Sequence, residues 1–148
     1  MLSTVHPALS GELLLHLDRL GHGDELVVVD GNYPAFTAGA PVVELPGIDA
    51  PSAVAAIRTV LPLDESEGPS ALLMAGADGE PEPVAHQPLR DAAAAADGRL
   101  TALERFAFYE RARGVRLVVR TGEQRVYANI VLRKGVVIAP ADASYPPA

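Results

Sequence analysis

Leu13, Leu14, Leu17 and Leu20 recur at the spacing of one helix face, behind Ser10, whose hydroxyl can accept a backbone N–H as an N-cap. The pattern predicts a helix over 10–20, closed by Gly21 in the left-handed conformation. Residues 25–29 then read ELVVV, a β-branched run suited to a strand buried on both faces, and the turn formers Asp30, Gly31, Asn32, Tyr33 and Pro34 follow it. A short strand is expected over 41–45, ended by Pro46 and Gly47. Asp49 and Pro51 suit the start of a helix running to about residue 60. Leu61, Pro62 and the acidic group Asp64, Glu65 and Glu67 read as a solvated connection before a buried strand over 71–75. The Gly-, Pro- and acid-rich stretch 76–83 is expected at the surface.

Further along, a helix is predicted to begin near His86, with Pro88 in its first turn, and to end in the alanine run 92–96. A strand at 100–103, a helix at 105–113 stopped by Gly114, and strands at 115–120 and 127–132 complete the reading. In the RFAFYERAR segment, Phe106, Tyr109 and Phe108 are expected to pack while Glu110, Arg111 and Arg113 face solvent. The last two strands are expected to pair through the short TGEQR connection. Strands alternating with helices predict an α/β fold: one three-layer α/β/α domain over 1–148 with a mixed, mostly parallel sheet.

Charge and composition narrow the function. Lys and Arg number 12 against 19 Asp and Glu in 148 residues, a net charge of −7, which argues against nucleic acid or an anionic membrane surface as partner. The apolar fraction of 49% is too high for a disordered chain, and the positive mean hydropathy of so small a protein suggests surface buried between subunits. With no cysteine, disulfides, thiolate nucleophiles and cysteine zinc sites are excluded. The first twenty residues read as a helix rather than a signal peptide, no run is long enough for a membrane span, and a cytoplasmic location is expected. Phosphate-loop, dinucleotide, nucleophile-elbow and HExxH patterns are lacking in the sequence.

The four histidines, His6, His16, His22 and His86, show no metal-pair spacing. His16 borders the leucine face. His22 stands between two glycines after a helix end, where a loop can present an imidazole to a cleft or simply to water. Asp30 closes a buried strand, a position where α/β proteins place site residues and where a turn cap is equally natural. Tyr127 and Asn129 would share one face of the last strand, with Ala128 on the other. A phenol and an amide side by side meet either a polar ligand or solvent at a strand end.

Taken in order, GHGDELVVVDGNYPAF, RFAFYERAR and YANIVLRKGVV resemble the L-fucose mutarotase and D-ribose pyranase family over nearly the whole chain. FAFYERA resembles the fucose branch, whereas Ala128 in YAN is more like the ribose branch. Two residues after the strand-end aspartate, fucose mutarotases carry a histidine where this chain has Asn32. The resemblance implies interconversion of monosaccharide anomers, and of pyranose and furanose forms, without cofactor or metal. By motif, it implies His22 as proton donor, Asp30 as a sugar-binding carboxylate, Arg105 as a substrate-binding position, and Tyr127, Ala128 and Asn129 as a substrate-contacting segment. It also implies a homo-oligomeric ring, a pentamer or decamer, with sites completed by neighbouring subunits.

These residue types suit the chemistry. Opening a hemiacetal needs a proton delivered to the ring oxygen and one removed from the anomeric hydroxyl, work suited to an imidazole and hydroxyl-binding neighbours. His22 and Asp30 lie eight residues apart across a strand, about 26 Å if fully extended at roughly 3.3 Å per residue. Either the His22 loop folds back or more than one subunit builds the site. A non-catalytic sugar-binding or transport-accessory protein is the alternative from another class.

Overall fold

Asn129, just before the last strand, reaches Asp30, 99 positions earlier at the end of the first, and the sheet topology explains how. The computed structural model describes residues 2–138; residue 1 and residues 139–148, included in the single-domain expectation, lie outside the described residues. Among the described residues four α-helices, α1 (Gly11–Asp18), α2 (Ala50–Arg58), α3 (His86–Ala93) and α4 (Arg105–Ala112), surround six strands. The strands are β1 (Glu25–Val29), β2 (Val42–Leu45), β3 (Ala71–Met74), β4 (Leu100–Leu103), β5 (Leu117–Thr121) and β6 (Ile130–Arg133), in the sheet order β2-β5-β1-β6-β3-β4. Pairings β2–β5, β5–β1 and β3–β4 are parallel, and β6 runs antiparallel to both β1 and β3.

Alternation along the strands divides the core into two. Leu26 and Val28 of β1 join Leu117, Val119, Ile130 and Leu132 on one face, covered by α1, α2 and α3. Val27 and Val29 point the other way, with Val118 and Val131, beneath Phe108 and Ala112 of α4. The result is the expected three-layer α/β/α arrangement. Caps read from the sequence are in place: Ser10 Oγ accepts the Leu13 N–H at 3.1 Å and Asp49 Oδ1 the Ser52 N–H at 2.8 Å.

Several local expectations are corrected. Gly21 is not the left-handed residue; Gly23 is, at φ +83°, because Asp24 Oδ2 takes the Gly21 N–H at 2.8 Å and delays the turn. The alanine run leaves α3 early, at Ala94 with φ +45°. In α4 the inward face is Phe108 and Ala112, one helical turn apart, so Phe106 is exposed. Asp64 is buried, not solvated, while Glu65 and Glu67 are exposed.

The last two strands do not pair, because β1 lies between them. Residues 122–129 therefore cross the end of β1, and Tyr127 sits in a turn at φ +60° instead of in a strand. Gly122 permits the crossing: its N–H donates to Leu45 O at 3.2 Å and Ile48 O at 2.9 Å, and a Cβ there would overlap the Pro46 carbonyl. Among the described residues no helix is long and apolar enough to cross a membrane.

Candidate functional site

With β6 as the antiparallel strand, the carboxyl ends of the other five strands and the start of β6 share one edge, the usual location of α/β sites. Asp30 leaves β1 there and is 4% exposed. Its N–H donates to Asn129 Oδ1 at 2.9 Å, and Asn129 Nδ2 donates back to Asp30 Oδ2 at 3.0 Å. The Asn32 N–H donates to Asp30 Oδ1 at 2.9 Å, and Asn129 Nδ2 also lies 3.6 Å from Met74 Sδ at the end of β3. Each carboxylate oxygen keeps a further lone pair. Burial pushes the Asp30 carboxyl above its ordinary value, the bonds from Asn32, Asn129 and the Tyr33 N–H pull it down, and the nearby Glu123 charge adds to the rise.

Around this pair the edge is aromatic. Tyr127 is half-buried and lines a hollow of about 460 Å³ with Gly76, Pro81, Val84 and Val126. On the other side, Tyr33 packs edge-on against Phe108, 6.3 Å between ring centroids, and 5.4 Å from Tyr109. Burial, then the Tyr109 and Asp30 charges, push the Tyr33 phenol up to about 12. Ala128 is fully buried and points into the core. The crossing segment is fastened by Glu123, which accepts from Arg125 Nε at 2.9 Å and Arg125 Nη2 at 2.7 Å.

Arg105 opens α4 on the same edge, exposed, with its guanidinium carbon 4.7 Å above the Phe106 ring. Three strand positions separate β4 from β1, roughly 14 Å at about 4.8 Å each, and no direct contact joins Arg105 to Asp30. His22 is at the opposite edge. It precedes β1, a strand of about 17 Å at roughly 3.3 Å per residue, so its loop does not fold back to Asp30.

There His22 Nε2 lies 3.3 Å from Asp64 Oδ2, and Arg133 Nη2, at the end of β6, lies 2.5 Å from the same oxygen. Asp64 Oδ1 accepts the Ser66 N–H at 2.9 Å and Ser66 Oγ–H at 2.6 Å. The Ser66 bonds, helped by the nearby His22 and Arg133 side chains, hold the Asp64 carboxyl well below the usual carboxylate range against the opposing effect of burial. One chain thus joins Asp30 to Asn129, places Tyr127 in the turn two residues before that amide, and leaves His22 with Asp64. Nothing in the sequence separates Asp64, Met74 and Glu123 from other acidic and apolar residues. Among the described residues no group of three or more His, Asp or Glu side chains converges as a metal site.

A buried carboxylate–amide pair at the carboxyl edge of an α/β sheet is the arrangement of an α/β protein that takes a small polar ligand there. Residues 4–137 match the RbsD / FucU transport protein family, and the chain belongs to that family. It is 37% identical over 140 residues to an L-fucose mutarotase of Histophilus somni (strain 2336), covering 92% of this chain and 97% of the relative. It is similar also to the crystal structure of the Streptococcus pneumoniae fucose mutarotase in complex with L-fucose, at 33% identity and a TM-score of 0.87 over 93% of this chain and 100% of the other. The structure of Bacillus subtilis RbsD complexed with D-ribose shares the fold, with 21% identity and a TM-score of 0.73 over 93% of this chain and all of that one.

Proposed function

We propose that this protein is a cofactor-independent monosaccharide mutarotase acting on L-fucose or a similar deoxyhexose. The observation that carries the reading is the buried Asp30 carboxylate, fixed by Asn129 beside Tyr127, in a chain so similar to L-fucose mutarotases. In this reading a proton passes from His22 to the ring oxygen as the bond between that oxygen and the anomeric carbon breaks. The anomeric hydroxyl gives its proton to Asp30, whose upward shift suits it to hold one. Rotation of the free aldehyde and reclosure, with the protons returned, yield the other anomer. Asn129, Tyr127 and Arg105 bind hydroxyls, and Ala128 provides the wall of the segment that carries two of them.

Because His22 and Asp30 occupy opposite edges of one chain, the reading requires a second copy: the His22 edge of one subunit completes the Asp30 edge of its neighbour. Exposed apolar side chains around the Asp30 edge support such burial: Phe36, Phe106, Val84 and Val126 are 67%, 64%, 76% and 62% exposed. A ring of five or ten copies, each one domain over 1–148, in the cytoplasm, is the assembly we infer.

A second reading, sugar binding without catalysis, is favoured by the same separation, since one chain offers a carboxylate site without an acid. Saturation-transfer NMR on equilibrated L-fucose, D-ribose, D-galactose and D-glucose decides between them. Accelerated anomer exchange for L-fucose is expected; faster ring-form exchange for D-ribose instead would make the protein a pyranase. Saturable binding at the buffer exchange rate would establish the binding protein. Mixing His22→Ala and Asp30→Asn chains, each inactive, and reassembling them should restore roughly a quarter of the sites if each draws on two subunits. No recovery would overturn the shared site.

A further inference from the structure

The carboxylate behind His22 has no role in the proposed chemistry so far, yet it is among the most enclosed polar groups of the fold, at 2% exposure. Its surroundings are built on one short stretch of backbone. The Asp64 N–H donates to Arg133 O at 2.9 Å, and the Gly23 N–H donates to Lys134 O at 2.8 Å. Lys134 N–H in turn donates to Asp24 O at 2.9 Å. The loop that bears His22 and the loop that bears Asp64 therefore hang from adjacent residues at the end of β6. Gly135 allows the approach, since a Cβ there would overlap the Leu63 carbonyl.

Within that frame the two oxygens of Asp64 differ. Oδ1 is saturated by Ser66. Oδ2 is buried and, although Arg133 Nη2 and His22 Nε2 are close, neither forms an aligned hydrogen bond to it among the described residues. Ser66, with smaller help from His22 and Arg133, keeps the carboxylate charged, and the Arg133 side chain is 23% exposed. The imidazole is 52% exposed, and Nε2 is its nitrogen beside Asp64 Oδ2, at 3.3 Å.

We propose that Asp64 is the positioning residue for His22: its Oδ2 accepts the Nε2 proton, fixes the ring and its tautomer, and leaves Nδ1 as the atom that exchanges a proton with the sugar. A buried carboxylate is suited to this because it stabilises the imidazolium formed when Nδ1 is protonated, and because its own place is set by Ser66 and Arg133 rather than by the histidine. The proposal rests on the mutarotase reading for its consequence, though not for its geometry. Asp64 touches no substrate in this scheme.

Two measurements test it. Nitrogen-15 NMR of histidine-labelled, sugar-free protein above neutral pH, with His22 assigned by its loss in His22→Ala, should show the Nε2–H tautomer. A predominant Nδ1–H form, or an even mixture, would overturn the proposal without any change to Asp64. Asp64→Asn should shift that tautomer balance and slow L-fucose exchange at saturating sugar by roughly 10- to 100-fold, a part of what general acid–base catalysis supplies, with KM changed less than about threefold. Combined with His22→Ala, it should add no further loss. If Asp64→Asn does not fold, Ser66→Ala, which keeps the carboxylate but frees Oδ1, should shift the tautomer and the rate in the same direction by less. Unchanged tautomer and rate in a folded Asp64→Asn protein would refute the role of Asp64 while leaving that of His22 intact. Full exchange in His22→Ala would instead refute the mutarotase reading of His22.

Discussion

Truncating Asn129 to alanine removes both halves of the reciprocal bond that joins the start of β6 to the end of β1. The Asp30 N–H, bonded at 2.9 Å to Asn129 Oδ1, is left without its acceptor in a site 4% exposed. An orphaned buried donor costs about 1–3 kcal/mol and a hydrogen bond to a charged group about 1.5–3 kcal/mol. The two are not additive, because the carboxylate keeps its Asn32 bond and water can enter the space. A loss of about 2–4 kcal/mol is expected, or roughly 6–16 °C in Tm at about 3–4 °C per kcal/mol. Urea unfolding at matched protein concentration measures it.

The deficit should also depend on pH. Asn129 holds the Asp30 carboxyl down, so the variant raises it further above its unfolded value of 3.8. A carboxyl whose folded pKa is raised contributes stability that is fully present below the unfolded pKa and is lost as pH rises through the folded one. The gap between variant and native protein should therefore widen from about pH 4 to pH 7. A deficit under about 1 kcal/mol at neutral pH, or one that stays flat across that range, would refute the assignment of Asn129 as the clamp on Asp30.

Other perturbations follow from the same geometry. Gly122→Ala forces a Cβ into the Pro46 carbonyl and should displace the whole 122–129 crossing, visible as loss of soluble, cooperatively unfolding protein and of sugar binding; a native-like melting curve would contradict it. Arg125, with smaller help from the Ala50 N–H, draws Glu123 from 4.5 down to about 2 against burial. That contribution is present above pH 4.5 and lost as pH falls toward about 2, so Glu123→Gln should flatten acid unfolding in this window. Phe108→Ala should cost about 3–5 kcal/mol in thermal or urea unfolding. Phe106→Ala should change the unfolding of dissociated chains by no more than about 0.5 kcal/mol.

Local patterning carries much of the fold. The ELVVV run can be satisfied only by a strand covered on both faces, and Ser10 and Asp49 mark helix starts because their side chains compete for the first free N–H groups. Three ordered motifs also led to the family. Pairing is less legible, since which strand β5 joins depends on partners far away in sequence, and the short TGEQR link suggests a hairpin that the parallel β1–β5 register forbids. RFAFYERAR has aromatics at 106, 108 and 109, so periodicity cannot decide which one the sheet claims. Asp64 sits in an acidic stretch whose other members face water, and its burial follows from Arg133, 69 positions later.

Strand β6 has only four residues, yet Asn129 immediately precedes it and Arg133 ends it. It works as a ruler between the Asp30 pair and the Asp64 pair. A deletion within β6 would shorten the distance between them, and a slip of one residue would turn the strand's core side chains to the wrong face. If the two edges belong to one site shared between neighbours, the length of this strand also sets the pitch at which successive subunits must meet, so ring size and catalytic geometry would change together.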